Sequence, residues 1–247
     1  MSVRSDRAVP QLPSPPPDLA GEPFVSSWSG GKDSCLALDR AVRAGGRPVA
    51  LLNMLTETGS RSRSHGLHLS VLQAQAEALG IPLVTRSASW DRYEGEFLDA
   101  LRNLAAQGVR AVVFGDIAGA PNRRWVESVC ARCGIRPVLP LWGSHRTALL
   151  EEFVERGFRA TVIVVRKDTL DPAVLGRALD RNLIAELIAS GNDPSGEGGE
   201  YHTVVRAGPG FAHPLPLHPG NRVLRDGCWF LDVSVRPHEK TAKEANL

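Results

Sequence analysis

The sequence predicts an α/β protein: a Rossmann-like parallel-sheet domain followed by a smaller α+β C-terminal subdomain. Three observations carry this. Apolar runs of strand length alternate with amphipathic stretches of helix length through the first half of the chain. Glycines (Gly45-Gly46, Gly80, Gly108, Gly134) follow the helical stretches, where a helix C-terminus favours them. After Trp142 the alternation gives way to two helical stretches and to strands rich in Gly and Pro.

In chain order, residues 1–22 carry Pro10, Pro13, Pro15, Pro16 and Pro17 and read as a disordered tail. The first domain, 23–139, takes strands at Phe24–Trp28, Val49–Thr56, Leu83–Ser87 and Ala111–Ile117, with Val138–Trp142 at its boundary. Helices fall at Ser34–Ala44, Leu67–Leu79, Glu94–Gln107 and Asn122–Cys133; Leu69, Leu72, Ala76 and Leu79 share one helix face. Such repeats imply right-handed crossovers and helices on both faces of the sheet. The second subdomain, 140–235, takes helices at Thr147–Arg156 and Pro172–Ser190 and an apolar strand at Thr161–Val165. It closes with a hairpin, Val223–Arg225 and Cys228–Val235, whose Asp226-Gly227 suits a primed two-residue turn. Residues 236–247 read as a polar tail.

Composition narrows the function. The 247 residues are 43% hydrophobic and 23% charged, ordinary for a globular chain. The net charge of +2 gives no global basic field for nucleic acid. No apolar run is long enough to span a bilayer and the N-terminus lacks an apolar signal core, so a cytoplasmic protein is expected. The four cysteines do not form a secreted disulfide pattern; Cys130 and Cys133 make a lone C-x-x-C, read as two helix-end residues.

Ser29-Gly30-Gly31-Lys32-Asp33-Ser34 lies between the first strand and the first helix. Such a turn directs free backbone N–H groups and a helix dipole at one spot, which suits phosphate. Gly30 and Gly31 allow close approach, Ser29 and Ser34 add hydroxyls, Lys32 adds a cation and Asp33 can hold Mg2+. It is not a Walker A loop: Asp33 follows the lysine, and the first glycine of that motif would fall on Ser26. A second dense stretch, Asp193 to Thr203, concentrates three glycines with Glu197, Glu200, Tyr201 and His202. With a strand starting at Tyr201, Glu200 and His202 share one face; the pair could orient ammonia, move a proton or help hold a metal, or it is a polar loop before an edge strand.

Asp116, at the end of the fourth strand, is expected to face a ligand. Arg61, Arg63, Arg123 and Arg124 read as solvated surface charges or as a basic rim. His65 reads as a helix-start residue or a nucleotide contact, and Trp142 as packing. Asn53 lies where adenine often approaches a second strand.

S-G-G-K-D-S resembles the PP-loop of the N-type ATP pyrophosphatases. The run Gly196-Glu197-Gly198-Gly199-Glu200-Tyr201-His202-Thr203 resembles the C-terminal motif of the diphthine–ammonia ligase family. In family order come also Ser64-His65-Gly66, Gln75 to Leu83, Phe114-Gly115-Asp116-Ile117 and Pro140-Leu141-Trp142-Gly143. The resemblance implies a PP-loop ATPase domain with a smaller subdomain closing over the nucleotide, and an AMP-forming amide ligation. A carboxylate on the modified histidine of elongation factor 2 is adenylated, pyrophosphate leaves, and ammonia displaces AMP. It implies ATP and Mg2+ held by Ser29, Gly30, Gly31, Asp33 and Ser34, with Asp33 on the metal. Lys32 would offset charge on the departing pyrophosphate, and Asp116 would face the nucleotide. Glu197, Glu200 and His202 would meet the acyl group, ammonia or metal. A homo-oligomer is compatible with this reading. Two others use the same residues: a PP-loop enzyme that modifies tRNA or a small molecule, with Cys130 and Cys133 as sulfur carriers in a thiolating version, and a non-catalytic ATP-binding module.

Overall fold

The computed structural model describes residues 18–235. The expected tails at 1–17 and 236–247 lie outside the described residues. Residues 18–22 belong to the folded body instead: Leu19 is 1% exposed in the core, and Gly21 N donates to Gly45 O at 2.9 Å.

Five parallel strands form the first sheet: β1 (Pro23–Ser27), β2 (Arg47–Leu55), β3 (Leu83–Ser87), β4 (Ala111–Val113) and β5 (Arg136–Val138), in the order β3-β2-β1-β4-β5. The chain leaves β1 in one direction for β2 and returns to its other side for β4. The order therefore reverses at β1, and a crevice opens beyond the C-terminal ends of β1 and β4. Four helices cover the two faces: α1 (Lys32–Arg43), α2 (Leu69–Leu79), α3 (Tyr93–Ala106) and α4 (Ala120–Ala131). Phe97, Leu101 and Leu104 of α3 and Val126 and Val129 of α4 pack on one face, against Val25, Leu52 and Val112. Alternate strand residues Phe24, Leu51 and Val113 face the other way, onto Leu36, Ala37 and Ala41 of α1 and Val71 and Leu72 of α2.

That second core runs on without a break into the C-terminal half. There α5 (Arg146–Glu155) and α6 (Arg181–Ala189) accompany a four-stranded antiparallel sheet. Its strands are β6 (Arg159–Arg166), β7 (Tyr201–Ala207), β8 (Leu217–Arg225) and β9 (Cys228–Val235), in the order β7-β6-β9-β8. Val162, Val164, Val205 and Leu231 join the cluster that holds Trp28 and Leu38, so α1 and α2 are buried between the two sheets. The hairpin turn carries Asp226 at φ 48° and Gly227 at φ 77°, both left-handed, as a primed turn requires.

Three expected elements differ. The helix at Pro172–Ser190 is two pieces, a short 3-10 turn at Pro172–Val174 and then α6, because Gly176 takes φ +83°. Asp180 restarts the helix by accepting from Leu183 N at 2.9 Å. The strand expected at Val138–Trp142 is β5, shifted to Arg136–Val138; Pro140 has no N–H for a ladder, and the chain turns there. β4 stops at Val113, short of Ile117, where its pairing partners end.

Candidate active site

The crevice at the C-terminal ends of β1, β2 and β4 is a cleft of about 680 Å3. Ser29, Lys32, Asp33, Ser34, Asn53, Asp116, Glu197 and His202 all line it. Two stretches 160 residues apart in the sequence thus meet at one place.

The Gly-rich turn is held from three sides. Gly31 precedes α1 and has no side chain to cap it. The first helical N–H, of Lys32, donates instead to Thr203 Oγ1 of β7 at 3.1 Å. Within the turn, Ser29 Oγ accepts from Gly31 N at 3.2 Å and donates to Ser34 Oγ at 3.1 Å. Gly30 O accepts from Val205 N at 2.9 Å and from Gln75 Nε2, also at 2.9 Å. Gln75, wholly buried on α2, donates again to Val205 O at 2.7 Å and accepts from Trp28 Nε1 at 3.0 Å. Gly30 adopts φ +80°, and a Cβ there would stand 2.5 Å from Gln75 Oε1.

Lys32 is 6% exposed; its Nζ pairs with Asp33 Oδ2 at 2.7 Å and lies 5.4 Å from the centre of the Tyr201 ring. Burial works to lower its pKa, but Asp33, Tyr201 and Glu197 outweigh that and hold the ammonium charged, above its ordinary value. Glu197 is pushed up to about 7, first by burial, then by Asp33 and Asp116, against the opposing pull of Lys32 and Arg146. Burial, with Asp33 nearby, also raises Asp116, and a hydrogen bond from Asn122 opposes the rise. His202 is held down to about 4 by burial and by Lys32, so its imidazole is neutral at physiological pH. The His65 ring lies 4.5 Å from it and is lowered too, by burial, His202 and Lys32.

The 193–201 loop is shaped by two residues. Asp193 accepts from Ser195 N at 3.0 Å, Ser195 Oγ at 2.8 Å and Glu197 N at 3.2 Å, and pairs with Arg146. Tyr201 donates its hydroxyl to Pro194 O at 2.6 Å. These bonds aim Glu197 at the cleft.

Not every sequence candidate arrives there. Glu200 does not line the cleft; it sits in the turn before β7, 9% exposed, with Oε2 unpartnered among the described residues. Of the four arginines, only Arg63 reaches the cleft, over the Trp90 ring at 4.6 Å. Arg61 pairs with Asp232, Arg123 with Glu127, and Arg124 is exposed. Trp142 is buried packing, as expected, at 4% exposure. Asn53 donates to Trp28 O, and its buried Oδ1 has no partner among the described residues. Cys130 is fully buried, its thiol pushed up to about 12 by burial and by Cys133; it sits in the last turn of α4 with Cys133 just beyond, and neither lines the crevice. That placement gives a sulfur-carrier role no support. The sequence places Gln75, Thr203 and Asp193 inside its motifs but gives them no role: Gln75 and Thr203 fasten the first loop, and Asp193 shapes the other.

Among the described residues no group of three or more His, Cys, Asp or Glu side chains is placed to hold a metal by itself. No helix of these residues is long and apolar enough to cross a membrane.

Residues 24–137 match the family model described as Diphthamide synthase N-terminal domain, and residues 145–235 the one described as Diphthamide synthase C-terminal domain. The chain is 32% identical over 233 residues to Diphthine--ammonia ligase of Danio rerio, covering 85% of this chain and 91% of that protein. It is 31% identical over 231 residues to the Bos taurus protein of that name, covering 83% and 86%. A solved structure, the predicted subunit of tRNA methyltransferase from Methanocaldococcus jannaschii DSM, superposes with a TM-score of 0.41 at 18% identity, over 74% of this chain and 96% of that one. On the strength of the two matched segments and of relatives covered nearly end to end, the chain belongs to the diphthine–ammonia ligase family.

Proposed function

We propose that this chain is an ATP-dependent carbon–nitrogen ligase of the diphthine–ammonia ligase type, with diphthine on elongation factor 2 as its acceptor. The observation that carries the reading is the meeting, in one cleft, of the Gly-rich turn at the start of α1 with a carboxyl poised near neutrality. In the first step an acceptor carboxylate oxygen attacks the α-phosphorus of ATP and pyrophosphate leaves. Ser29, Gly30, Gly31 and Ser34 hold the departing phosphates, and Lys32, kept charged, stabilises the negative charge that builds on them. In the second step ammonia attacks the acyl carbon, the carbon–oxygen bond to AMP breaks, and Glu197 takes the surplus proton. A base that titrates about 7 suits that task. No covalent nucleophile is needed; positioning and charge stabilisation carry the rate.

Asp33 raises the cost of charge on Asp116 in the cleft. Two such carboxylates, short of a complete metal cage, fit a Mg2+ ion that arrives bound to phosphate oxygens. When bound, that ion would neutralise phosphate charge.

The test is AMP and pyrophosphate release from ATP that requires both acceptor and ammonia. Asp33→Ala should abolish it, and a fully active Asp33→Ala protein would overturn the reading. ATP binding without AMP formation across a broad set of acceptors would favour a binding module instead. Glu197 counts against that outcome, since a module that only binds nucleotide gains nothing from an additional half-buried carboxyl near Asp33.

A further inference from the structure

A second cavity, of about 280 Å3, adjoins the first at His65 and lies between the 61–68 segment and the β8–β9 hairpin. His65 is the one residue that lines both. Its ring is wedged in place: a Cβ on Gly31 would stand 2.7 Å from His65 Nε2, and the ring of His202 lies 4.5 Å away on the cleft side. Ser64 Oγ holds Nδ1 at 3.2 Å. The second cavity reaches the surface at the edge strand β8, where Asn221 and Val223 are exposed. Its inner wall is largely apolar, with Leu67, Ile163, Phe230, Leu231 and Val233.

The geometry points to this cavity as the entry port for ammonia, with His65 as the partition between port and cleft. The inference rests on the ligase reading above. Once ATP and the acceptor fill the cleft, its open side is blocked, and the nitrogen nucleophile needs a separate way in. The charges along the second cavity are Arg61, Arg225 and Asp232, with Asp232 bonded to Arg61 at 3.0 Å and Arg225 over the Phe230 ring. The balance is one positive charge, and Lys32 waits beyond. A cationic, partly apolar passage disfavours ammonium and admits neutral ammonia, the form able to attack. At the inner end the neutral imidazoles of His65 and His202 can each accept a hydrogen bond from ammonia without protonating it. The nitrogen lone pair then bonds to the acyl carbon, the electron pair of the broken carbon–oxygen bond leaves with AMP, and one nitrogen proton passes to Glu197.

The experiment uses the full chain, ammonium chloride, ATP and diphthine-bearing elongation factor 2. Val223→Trp, at the exposed mouth, should raise KM for ammonium about tenfold, while kcat at saturating ammonium stays at the wild-type level. Acceptor-dependent exchange of pyrophosphate into ATP, which needs no ammonia, should be unchanged. Asn221→Trp is the second plug if the first does not fold. His65→Ala removes the partition and admits water to the adenylate, so AMP formation should exceed amide formation. Normal exchange with an unchanged KM for ammonium in both plugged variants would overturn the port alone. Absence of any exchange in the wild type would overturn the ligase reading and the port with it.

Discussion

The backbone N–H of Lys32 donates to Thr203 Oγ1 at 3.1 Å, so the first turn of α1 is capped by a side chain 171 residues further along the chain. This bond makes the Gly-rich turn a joint product of both sheets. β7 presents Thr203 to the helix start and Val205 to Gly30, next to the strand position that carries His202. A shift of the C-terminal sheet must therefore disturb the turn, and a nucleotide that orders the turn must tighten the junction.

Thr203→Val tests the cap. The isosteric valine keeps the packing and removes the acceptor, leaving a buried N–H unpaired at a cost of about 1–3 kcal/mol. Urea unfolding should show that loss, and calorimetry should show weaker ATP binding. Thr203→Ser, which restores the hydroxyl, should recover most of both. If Thr203→Val matches the wild type in both measurements, the cap has no energetic weight.

Gln75→Leu removes three buried hydrogen bonds at once, to Trp28, Gly30 and Val205. The Trp28 indole N–H would be left unsatisfied, as would one of the two bonds to Gly30 O. A loss of roughly 2–4 kcal/mol is expected from such a network. Hydrogen exchange should quicken at Val205, whose N–H also binds Gly30, before it quickens in the centre of the parallel sheet. Unchanged protection at Val205 would show that the turn and β7 hold together without Gln75.

What was legible in the sequence was local. Ser29 to Ser34 announce a tight strand-to-helix turn because the glycines and hydroxyl residues are contiguous, and Asp226-Gly227 announces its hairpin for the same reason. Gln75 was invisible as a clasp, since its partners lie 45 and 130 residues away and nothing in a helical Gln reveals them. Glu200 shows how a correct period misleads at an element's edge. Strand alternation puts Glu200 beside His202, but β7 begins at Tyr201 and Gly199 turns the chain with φ +78°, so the alternation stops one residue too soon. Pro172–Ser190 reads as one helix by composition, and Gly176 divides it by taking a left-handed conformation.

Gly115→Ala should damage the site without touching any charged group. A Cβ at Gly115 would stand 2.9 Å from both Asp33 C and Ser34 N, which are backbone atoms that cannot swing aside. β4 and the start of α1 would have to separate by several tenths of an ångström, at a cost of about 1–3 kcal/mol. The expected result is a folded protein with a lowered melting temperature and ATP affinity reduced at least tenfold, because the N–H groups of the turn lose their alignment. Wild-type ATP affinity in Gly115→Ala would mean that the turn tolerates displacement.

Glu197 supplies the pH dependence, with opposite signs for stability and activity. Its carboxyl is raised from the ordinary 4.5 to about 7 in the folded chain, so the folded state holds this proton more tightly than the unfolded state does. Below about pH 4.5 both states are protonated and the residue costs nothing. As pH rises to about 7 the folded state must accept a buried charge, and stability falls. The penalty is complete above that, about 1–2 kcal/mol once screening by the partly open cleft is allowed for. Glu197→Gln should therefore be the more stable protein at pH 8 and equal to the wild type at pH 4, as read by urea unfolding without nucleotide. Activity should run the other way. Amide formation in the wild type should climb through about pH 7 as the base is freed, whereas Glu197→Gln should be slow at every pH, by roughly 10²-fold or more at pH 8. A wild-type profile flat between pH 6 and 8, or a Glu197→Gln protein that keeps the climb, would remove Glu197 from the proton-accepting role.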